Sequence, residues 1–126
     1  MSEKLSEKFM RGELLNVNCP LREVLKRITS RWSVLVFLAL REETLRFSTL
    51  RRKIGGVSER MLAQTLRYME EDGFVARIAY DVVPPHVEYR LTPLGAEVAG
   101  QVIGLADWLE SNVHRIVDRA EAHDVT

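Results

Sequence analysis

The chain has 126 residues, and its 18 lysine and arginine residues balance its 18 aspartate and glutamate residues. This length suits one domain with its own hydrophobic core and leaves little room for a second. A formal net charge of zero excludes an overall positive field, so any attraction to nucleic acid must come from a local patch. The single cysteine cannot form an internal disulfide, which argues against a disulfide-stabilised scaffold.

The charged residues are unevenly distributed along the chain. Between residues 46 and 67, Glu59 is the only acidic residue, whereas six residues are basic: Arg46, Arg51, Arg52, Lys53, Arg60 and Arg67. From residue 107 onward, acidic residues outnumber basic ones. The sequence therefore predicts a basic surface in its middle and an acidic C-terminal segment.

The apolar segments are all short. The longest uninterrupted one, residues 34–40, is far below the roughly 20 residues of a membrane-spanning helix. Residues 1–4 lack the apolar core of a secretion signal. We therefore expect a cytoplasmic protein with no membrane association.

Residues 1–18 form an N-terminal arm, which is either a short packed helix or a loose segment. The sequence predicts two helices after this arm. Pro20 suits the first position of a helix, where its missing N–H costs nothing. Apolar residues then recur at helical spacing: Leu21, Val24, Leu25 and Ile28. Ser30 is placed to cap a second helix, over about residues 31–41, that is apolar on every side and should form the core.

Two more helices are predicted between residues 47 and 72. Arg46 and Phe47 supply a minimal strand, after which Ser48 caps a basic helix that ends at the pair Gly55-Gly56. Ser58 caps the next helix, which ends near Gly73 because glycine suits the position after a helix C-terminus. Rotation of about 100° per residue divides this helix into an inner face, Leu62, Leu66 and Met69, and an outer face, Arg60, Gln64 and Arg67.

After Gly73 the apolar period changes to two, which predicts a hairpin. We expect Phe74, Ala76, Ile78 and Tyr80 on one side, answered by Val87, Tyr89 and Leu91 on the returning strand. The loop over residues 82–86 contains two prolines, which cannot donate hydrogen bonds and so keep its backbone from recruiting another strand.

Thr92 and Pro93 begin a last helix that extends to about residue 120, a length of roughly 40 Å. So small a core cannot cover that length. One apolar stripe, which faces the core, contains Val98, Val102, Leu105, Leu109 and Ile116. A second stripe is a candidate subunit interface and contains Ile103, Ala106, Trp108, Val113 and Val117. The alternative is a helix that folds back wholly on its own core.

Two helices followed by a hairpin are typical of a winged helix-turn-helix, in which the second helix reads the major groove of DNA. Arginine can bind guanine O6 and N7 in a fork and glutamine can bind adenine N6 and N7, so Arg60, Gln64 and Arg67 suit this task. Ser58 and Thr65 are expected to reach DNA from the flank. Contacts to backbone phosphates are expected from Arg51, Arg52 and Lys53. The wing, with Arg77, His86 at its tip and Arg90, is expected to lie over phosphates or a minor groove.

Motifs of enzymes are missing from the sequence. It has no G-x-S-x-G, no H-E-x-x-H and no phosphate-binding glycine loop, and its three histidines lack metal-ligand spacing. We therefore expect neither catalysis nor a cofactor nor a metal site.

Residues 19–95 resemble the HxlR-type winged helix-turn-helix regulators, a branch of the MarR-like group. The resemblance rests on C-P, R-W, S-x-R-M-L-x-Q-T-L, D-G-x-V-x-R and P-P-x-V-E-Y-x-L-T, which occur in this order. Many members have Gly-Lys-Trp where this chain has Ser30-Arg31-Trp32, which keeps the positive charge and the tryptophan.

The resemblance implies a mainly α (α+β) fold with a two-stranded β wing, a DNA-binding core over residues 19–92 and a dimerisation helix with a tail over residues 93–126. It also implies a homodimer on an inverted-repeat operator of double-stranded DNA, with residues 58–68 in the major groove. We expect a repressor of a nearby gene. The alternative is a winged helix that binds protein instead of DNA.

Cys19 has two interpretations. At the start of the first helix its thiolate would feel the positive end of the helix dipole, which lowers a thiol pKa. Several HxlR-type relatives use a cysteine near this position to sense oxidants or electrophiles such as quinones, so the resemblance suggests a thiol switch. The other interpretation is a small packed residue, because a lone cysteine is often buried. A small-molecule effector between the terminal helix and the core near Trp108 is a further expectation, although no polar residue marks such a pocket.

Overall fold

The computed structural model describes residues 20–124, with side chains to residue 119, together with Lys4 and Glu7. Within this part of the chain the elements are α1 Pro20–Ile28, α2 Arg31–Ala39, β1 Leu45–Arg46, α3 Phe47–Ile54, α4 Glu59–Glu71, β2 Val75–Tyr80, β3 His86–Leu91 and α5 Pro93–Asp124. The predicted mainly helical fold with a hairpin and a long last helix is confirmed. No described helix is long and apolar enough to cross a membrane. Cys19 and the residues of the predicted arm other than Lys4 and Glu7 lie outside the described residues.

Small polar residues and glycines set most helix ends where the sequence predicts them. The Ser30 and Ser58 hydroxyls accept hydrogen bonds from the backbone N–H groups of Ser33 and Met61, at 3.4 and 3.1 Å, and so cap α2 and α4. Gly55 and Gly56, after α3, have φ of 72° and 75°, in the left-handed region that favours glycine. The helix boundaries on either side of this turn are therefore encoded locally.

The predicted cap at Ser48 is wrong. Helix α3 already begins at Phe47, and its N-cap is Arg46, whose side chain makes no capping hydrogen bond. Arg46 is also the last residue of β1, where it pairs with Glu88 of β3. The strand holds Arg46 in an extended conformation, with φ −72° and ψ 156°, which is the backbone geometry that an N-cap requires.

The core is built around α2, which packs against α3, α4 and α5. Its Val36 and Phe37 are fully buried, and the Phe37 ring meets the edge of the Phe74 ring at 5.9 Å between centroids. Helices α3 and α4 contribute Leu50, Leu62 and Leu66, which are also fully or almost fully buried. This layer fixes the relative position of the two helices that bear the basic surface.

The three strands form one antiparallel sheet in the order β1-β3-β2. In the hairpin, Val75 pairs with Leu91, Arg77 with Tyr89, and Ala79 with Val87. Directly paired residues share a face, so the buried Tyr89 lies on the same face of the hairpin as Val75, Arg77 and Ala79 of β2. The predicted grouping of Ile78 and Tyr80 with Tyr89 is therefore wrong by one residue, and such a shift moves every side chain to the other face.

Helix α5 has 32 residues and a length of about 48 Å. Ala99 is buried, and Val98, Val102 and Ile103 pack against the core. The helix then leaves the core, and its later large apolar side chains are 40–58% exposed: Leu105, Trp108, Leu109, Val113, Ile116 and Val117.

The packed and the exposed apolar side chains of α5 are thus separated along the helix axis. They do not lie on two different sides of the helix, as the sequence predicted. Ile103, assigned from the sequence to the subunit interface, packs on the core of its own chain. Leu105 and Leu109, assigned to the core, are exposed. The reason is that the core ends about ten residues into the helix, so the position along its axis decides which side chains are covered.

The start of α5 docks on the junction between α4 and β2. The Thr92 hydroxyl accepts a hydrogen bond from the Gly95 N–H at 3.0 Å and donates one to the Gly73 carbonyl at 2.6 Å. A Cβ at position 95 would overlap the Phe74 carbonyl oxygen and lie 2.8 Å from the Phe74 carbonyl carbon. Glycine is therefore required at position 95 because backbone atoms approach too closely for any side chain.

We predict that Gly95→Ala destabilises the protein by about 1–3 kcal/mol, since either the helix or the Phe74 backbone must move to admit the methyl group. The measurement is the free energy of unfolding from urea denaturation at a fixed protein concentration. A value equal to that of the wild type would contradict the proposed steric requirement.

The matched control is Gly100→Ala in the same helix, because a Cβ there meets nothing within 4 Å. This change should be neutral or stabilising by up to about 1 kcal/mol, since alanine favours helix more than glycine does. A similar loss of stability in both variants would show that the effect does not arise at the Phe74 carbonyl.

Candidate nucleic-acid interface

Helix α4 presents one face to the core and the opposite face to solvent. Leu62, Leu66 and Met69 are at most 3% exposed, whereas Arg60 and Arg67 are exposed. Gln64 is half-buried, at the border between the two faces. The side chains selected from the sequence as base-reading candidates therefore lie together on the outer side, spread over two turns.

Thr65 does not lie on the flank of that face. It is 8% exposed, and its hydroxyl donates a hydrogen bond to the Met61 carbonyl at 2.8 Å. Helical rotation places it beside Leu62 and Leu66 on the inner side. The expectation that Thr65 reaches DNA is thus corrected, and Ser58, which caps α4 and is exposed, remains available at the N-terminus of the helix.

Two exposed side chains on α4, one aromatic and one apolar, are not among the DNA-binding candidates selected from the sequence. Tyr68 is 37% exposed, and its hydroxyl accepts a hydrogen bond from the Gln64 side-chain amide at 3.0 Å. The Arg67 guanidinium lies 5.8 Å from the centroid of the Tyr68 ring. Met61 is 43% exposed on the same flank. The i, i+4 spacing of Gln64 and Tyr68 is the sequence signal that would have indicated this pair.

The basic residues of α3 are not equivalent. The Arg51 Nε donates a hydrogen bond to the Val57 carbonyl at 3.1 Å, and its Nη1 lies 3.4 Å from a Glu59 oxygen, so this side chain bridges the turn between α3 and α4. Lys53 pairs with Glu43. Arg52 is exposed. Arg51 thus has a structural role in addition to its positive charge.

The wing residues point in different directions. Arg77 pairs with Tyr89 and Arg90 pairs with Ala76, which places the two arginines on opposite faces of the hairpin. His86 is not at the tip of the wing as predicted. It begins β3, and its ring stacks on Tyr80 at 4.5 Å between centroids. The tip of the loop is occupied instead by Val83, which is 99% exposed.

Tyr80 is also linked to the far strand of the hairpin. A hydrogen bond with the Glu88 carboxylate raises the pKa of the Tyr80 hydroxyl above its ordinary value, with a smaller contribution from loss of solvent contact. Together with the His86 stack, this contact joins β2 to β3 close to the loop.

An ion pair anchors the C-terminal end of α4 to α1. The Arg27 guanidinium donates to both Asp72 oxygens, from Nε at 2.9 Å and from Nη2 at 2.8 Å. The hydrogen bond with Asp72 is the largest of the effects that raise the pKa of Arg27. This fork-to-carboxylate geometry restrains orientation as well as distance. Asp72 follows the last residue of α4, so the pair determines how α1 is placed against this helix.

The arrangement defines a class of protein. A short helix, a glycine turn, a second helix with a buried inner face and a cationic outer face, and a following hairpin constitute a winged helix-turn-helix. The model of the family described as HxlR-like helix-turn-helix matches residues 27–117. The chain belongs to this family of transcriptional regulators.

Similar proteins agree with this assignment. An HTH-type transcriptional regulator of Escherichia coli strain K12, YtfH, is 61% identical over 113 residues, which cover 90% of each chain. A solved structure of ytfH from Salmonella typhimurium, described as a transcriptional regulator, is 58% identical with a TM-score of 0.81, over 86% of this chain and 96% of that one.

The solved structures of the redox regulator HypR are also similar. The reduced form is 34% identical with a TM-score of 0.72, over 79% of this chain and 99% of that one. The oxidised form is 37% identical with a TM-score of 0.68, over 75% of this chain and 97% of that one.

Proposed function

We propose that the chain is a homodimeric transcriptional repressor that binds an inverted-repeat DNA operator through the outer face of α4. The observation that carries the proposal is the placement of Arg60, Gln64 and Arg67 on one side of a helix whose other side is buried. Arginine and glutamine side chains offer the paired donors and acceptors that distinguish guanine and adenine in the major groove. Family membership supports the same conclusion.

The supporting contacts divide into two kinds. Arg52 on α3 and the N-terminus of α4 at Ser58 are suited to phosphates, which position the protein on the duplex without reading its sequence. On the wing, Arg77 and Arg90 face opposite ways, so a single DNA surface would be contacted by one of them. Thr65 is left out of the proposal because it is buried.

We predict that Arg60→Ala and Arg67→Ala each weaken specific binding by about 1–3 kcal/mol, the value of one lost bidentate contact to a base. Fluorescence anisotropy with DNA from upstream of the gene, or of its neighbour, measures the affinity. Scrambled DNA of the same length measures the non-specific part. Specific binding should weaken more than non-specific binding in both variants.

The control is Arg115→Ala, which removes the same charge from α5, where Arg115 contacts Asn112. It should leave operator affinity within about 0.5 kcal/mol of the wild type. Binding to upstream DNA no tighter than to scrambled DNA at moderate salt would contradict the proposal. In that event, recovery of a stoichiometric protein partner would favour the alternative, a winged helix that binds protein.

Dimerisation is proposed through the exposed part of α5. By helical rotation, Leu105, Leu109, Val113 and Ile116 continue the side of the helix that packs on the core at its start. Their side chains are 40–58% exposed. A contiguous apolar face of this extent on an isolated chain is typical of a subunit interface. Two-fold symmetry would present two copies of α4 to an inverted repeat.

We predict that the wild-type protein has about twice the 14.5 kDa chain mass in light scattering at micromolar concentration. Leu109→Glu should produce monomers with weaker operator binding, because burial of an unpaired carboxylate at the interface is costly. The matched control is Ser111→Glu, which introduces the same charge on the opposite, exposed side of α5 and should stay dimeric. A monomeric wild type, or a dimeric Leu109→Glu, would contradict this interface.

A thiol switch at Cys19 is proposed as the input signal, supported by the likeness to HypR in its reduced and oxidised forms. Oxidation of two Cys19 thiols in a dimer would form one disulfide and transfer two electrons and two protons to the oxidant. Diamide should then release the protein from its operator, and dithiothreitol should restore binding.

The matched variant Cys19→Ser should bind the operator like the wild type and ignore diamide. If the wild-type complex survives diamide while mass spectrometry finds Cys19 unmodified, Cys19 is a packing residue and the signal is another one.

A further inference from the structure

A cavity of about 200 Å³ lies between the start of α2 and helix α4. Its walls are mainly apolar and are formed by Ile28, Trp32, Phe37, Met61, Met69 and Phe74. An apolar cavity of about 150 Å³ is known to admit benzene. The space under α4 is therefore large enough for one aromatic ring with a small substituent. It lies next to Trp32 and not near Trp108, where the sequence suggested an effector.

Uncharged polar side chains line the cavity from two sides: Ser30 and Ser33 at the start of α2, and Gln64, Thr65 and Tyr68 on α4. Gln64 and Tyr68 both line it, and their mutual hydrogen bond uses the Gln64 amide N–H as donor and the Tyr68 oxygen as acceptor. This leaves the Gln64 carbonyl oxygen as an acceptor that a ligand hydroxyl can use. A few placed polar groups in a mainly apolar pocket are the usual means of orienting a small ligand.

The charges of the cavity cancel one another. Arg27 and Asp72 line one end and are paired in a fork at 2.8 and 2.9 Å. An ionised ligand would lose its hydration without gaining an unpaired opposite charge. A neutral ligand meets no such cost, so the cavity favours neutral molecules.

We propose that this cavity binds a neutral, single-ring phenol and that the bound ligand weakens DNA binding. The ring packs among Trp32, Phe37 and Phe74, and the hydroxyl donates to the Gln64 carbonyl. Gln64 lies at the border of the outer face of α4 and already contacts Tyr68 beside the cavity, so a ligand that stabilises this position hinders Gln64 from turning toward a base. The regulatory half of this proposal rests on the proposed function of α4, whereas ligand binding itself does not.

The test uses 4-methylphenol, titrated into the full-length protein without DNA and followed by NMR. We expect saturable binding of one ligand per chain, with a dissociation constant of about 1 mM or lower, as befits a ligand of this size. The chain has two tryptophans. The indole N–H signal of Trp32 and the side-chain amide signals of Gln64 should shift, and that of Trp108 should not. Toluene, which lacks the hydroxyl, should bind severalfold more weakly.

The blocking variant is Ile28→Phe, which places a larger side chain in the cavity from α1, outside the proposed DNA-reading face. It should weaken 4-methylphenol binding at least about tenfold, since overlap with the ligand is costly. The matched control is Leu45→Phe, at a half-buried core residue of β1 that is not among the cavity lining. This control should bind the ligand like the wild type.

The proposed ligand binding is overturned if the wild type shows no saturation at about ten times the expected dissociation constant. It is also overturned if the NMR signals of Trp32 and Gln64 do not shift. This readout needs no variant, so it decides the matter even if Ile28→Phe fails to fold.

The regulatory half is tested by adding saturating 4-methylphenol to the operator complex. Operator affinity should fall about fivefold or more, the lower range of allosteric coupling, in the wild type and in Leu45→Phe but not in Ile28→Phe. An unchanged affinity with the ligand bound overturns the regulatory half. Failure of the ligand-free wild type to bind any operator overturns the proposed function instead and leaves the cavity result intact.

Discussion

The close contact between the start of α5 and the backbone of Gly73 and Phe74 is the constraint on which the rest of the structure depends. Besides its two side-chain hydrogen bonds, Thr92 donates from its own N–H to the Phe74 carbonyl at 3.0 Å. Four element ends meet there: the C-terminus of α4, the start of β2, the end of β3 and the start of α5. Because Gly95 lets two backbones approach closely, the proposed DNA-reading helix, its wing and its proposed dimerisation helix are fixed relative to one another. The spacing of two α4 helices in a dimer would follow from this geometry.

Most of the fold could be predicted from the sequence because its boundaries are set by local chemistry. Ser30 and Ser58 cap helices with their own hydroxyls, and Gly55, Gly56 and Gly73 allow the positive φ that ends them. The inner and outer faces of α4 follow from the helical period alone. Such signals act within about four residues, so they need no knowledge of tertiary contacts.

Most of the failed expectations depend on contacts that lie outside the element concerned, whereas the burial of Thr65 follows from the helical period alone. Arg46 occupies the N-cap position of α3 because its strand pairs with β3, some 40 residues later in the chain. The hairpin register was missed by one residue, and the face of every wing side chain depends on it. His86 belongs to a strand because it pairs with Tyr80. The division of α5 into a packed part and an exposed part is decided by where the core ends, and periodicity around a helix carries no information about that limit.

The placement of Gln64 explains how a regulator of this size could combine reading and sensing in one helix. Its side chain is half-buried, is hydrogen-bonded to Tyr68 and borders both the outer face of α4 and the cavity beneath it. A ligand can shift a conformational equilibrium only by as much as its affinity differs between the two states. Gln64 would supply such a difference directly, because its side chain contacts either the ligand or a base. No conformational change in the core would be needed. The Arg27–Asp72 pair also lines this cavity and ties α1 to the end of α4. A change in α1 would therefore reach α4 through this pair, so a signal from the N-terminal side and a ligand in the cavity would both act on the same helix.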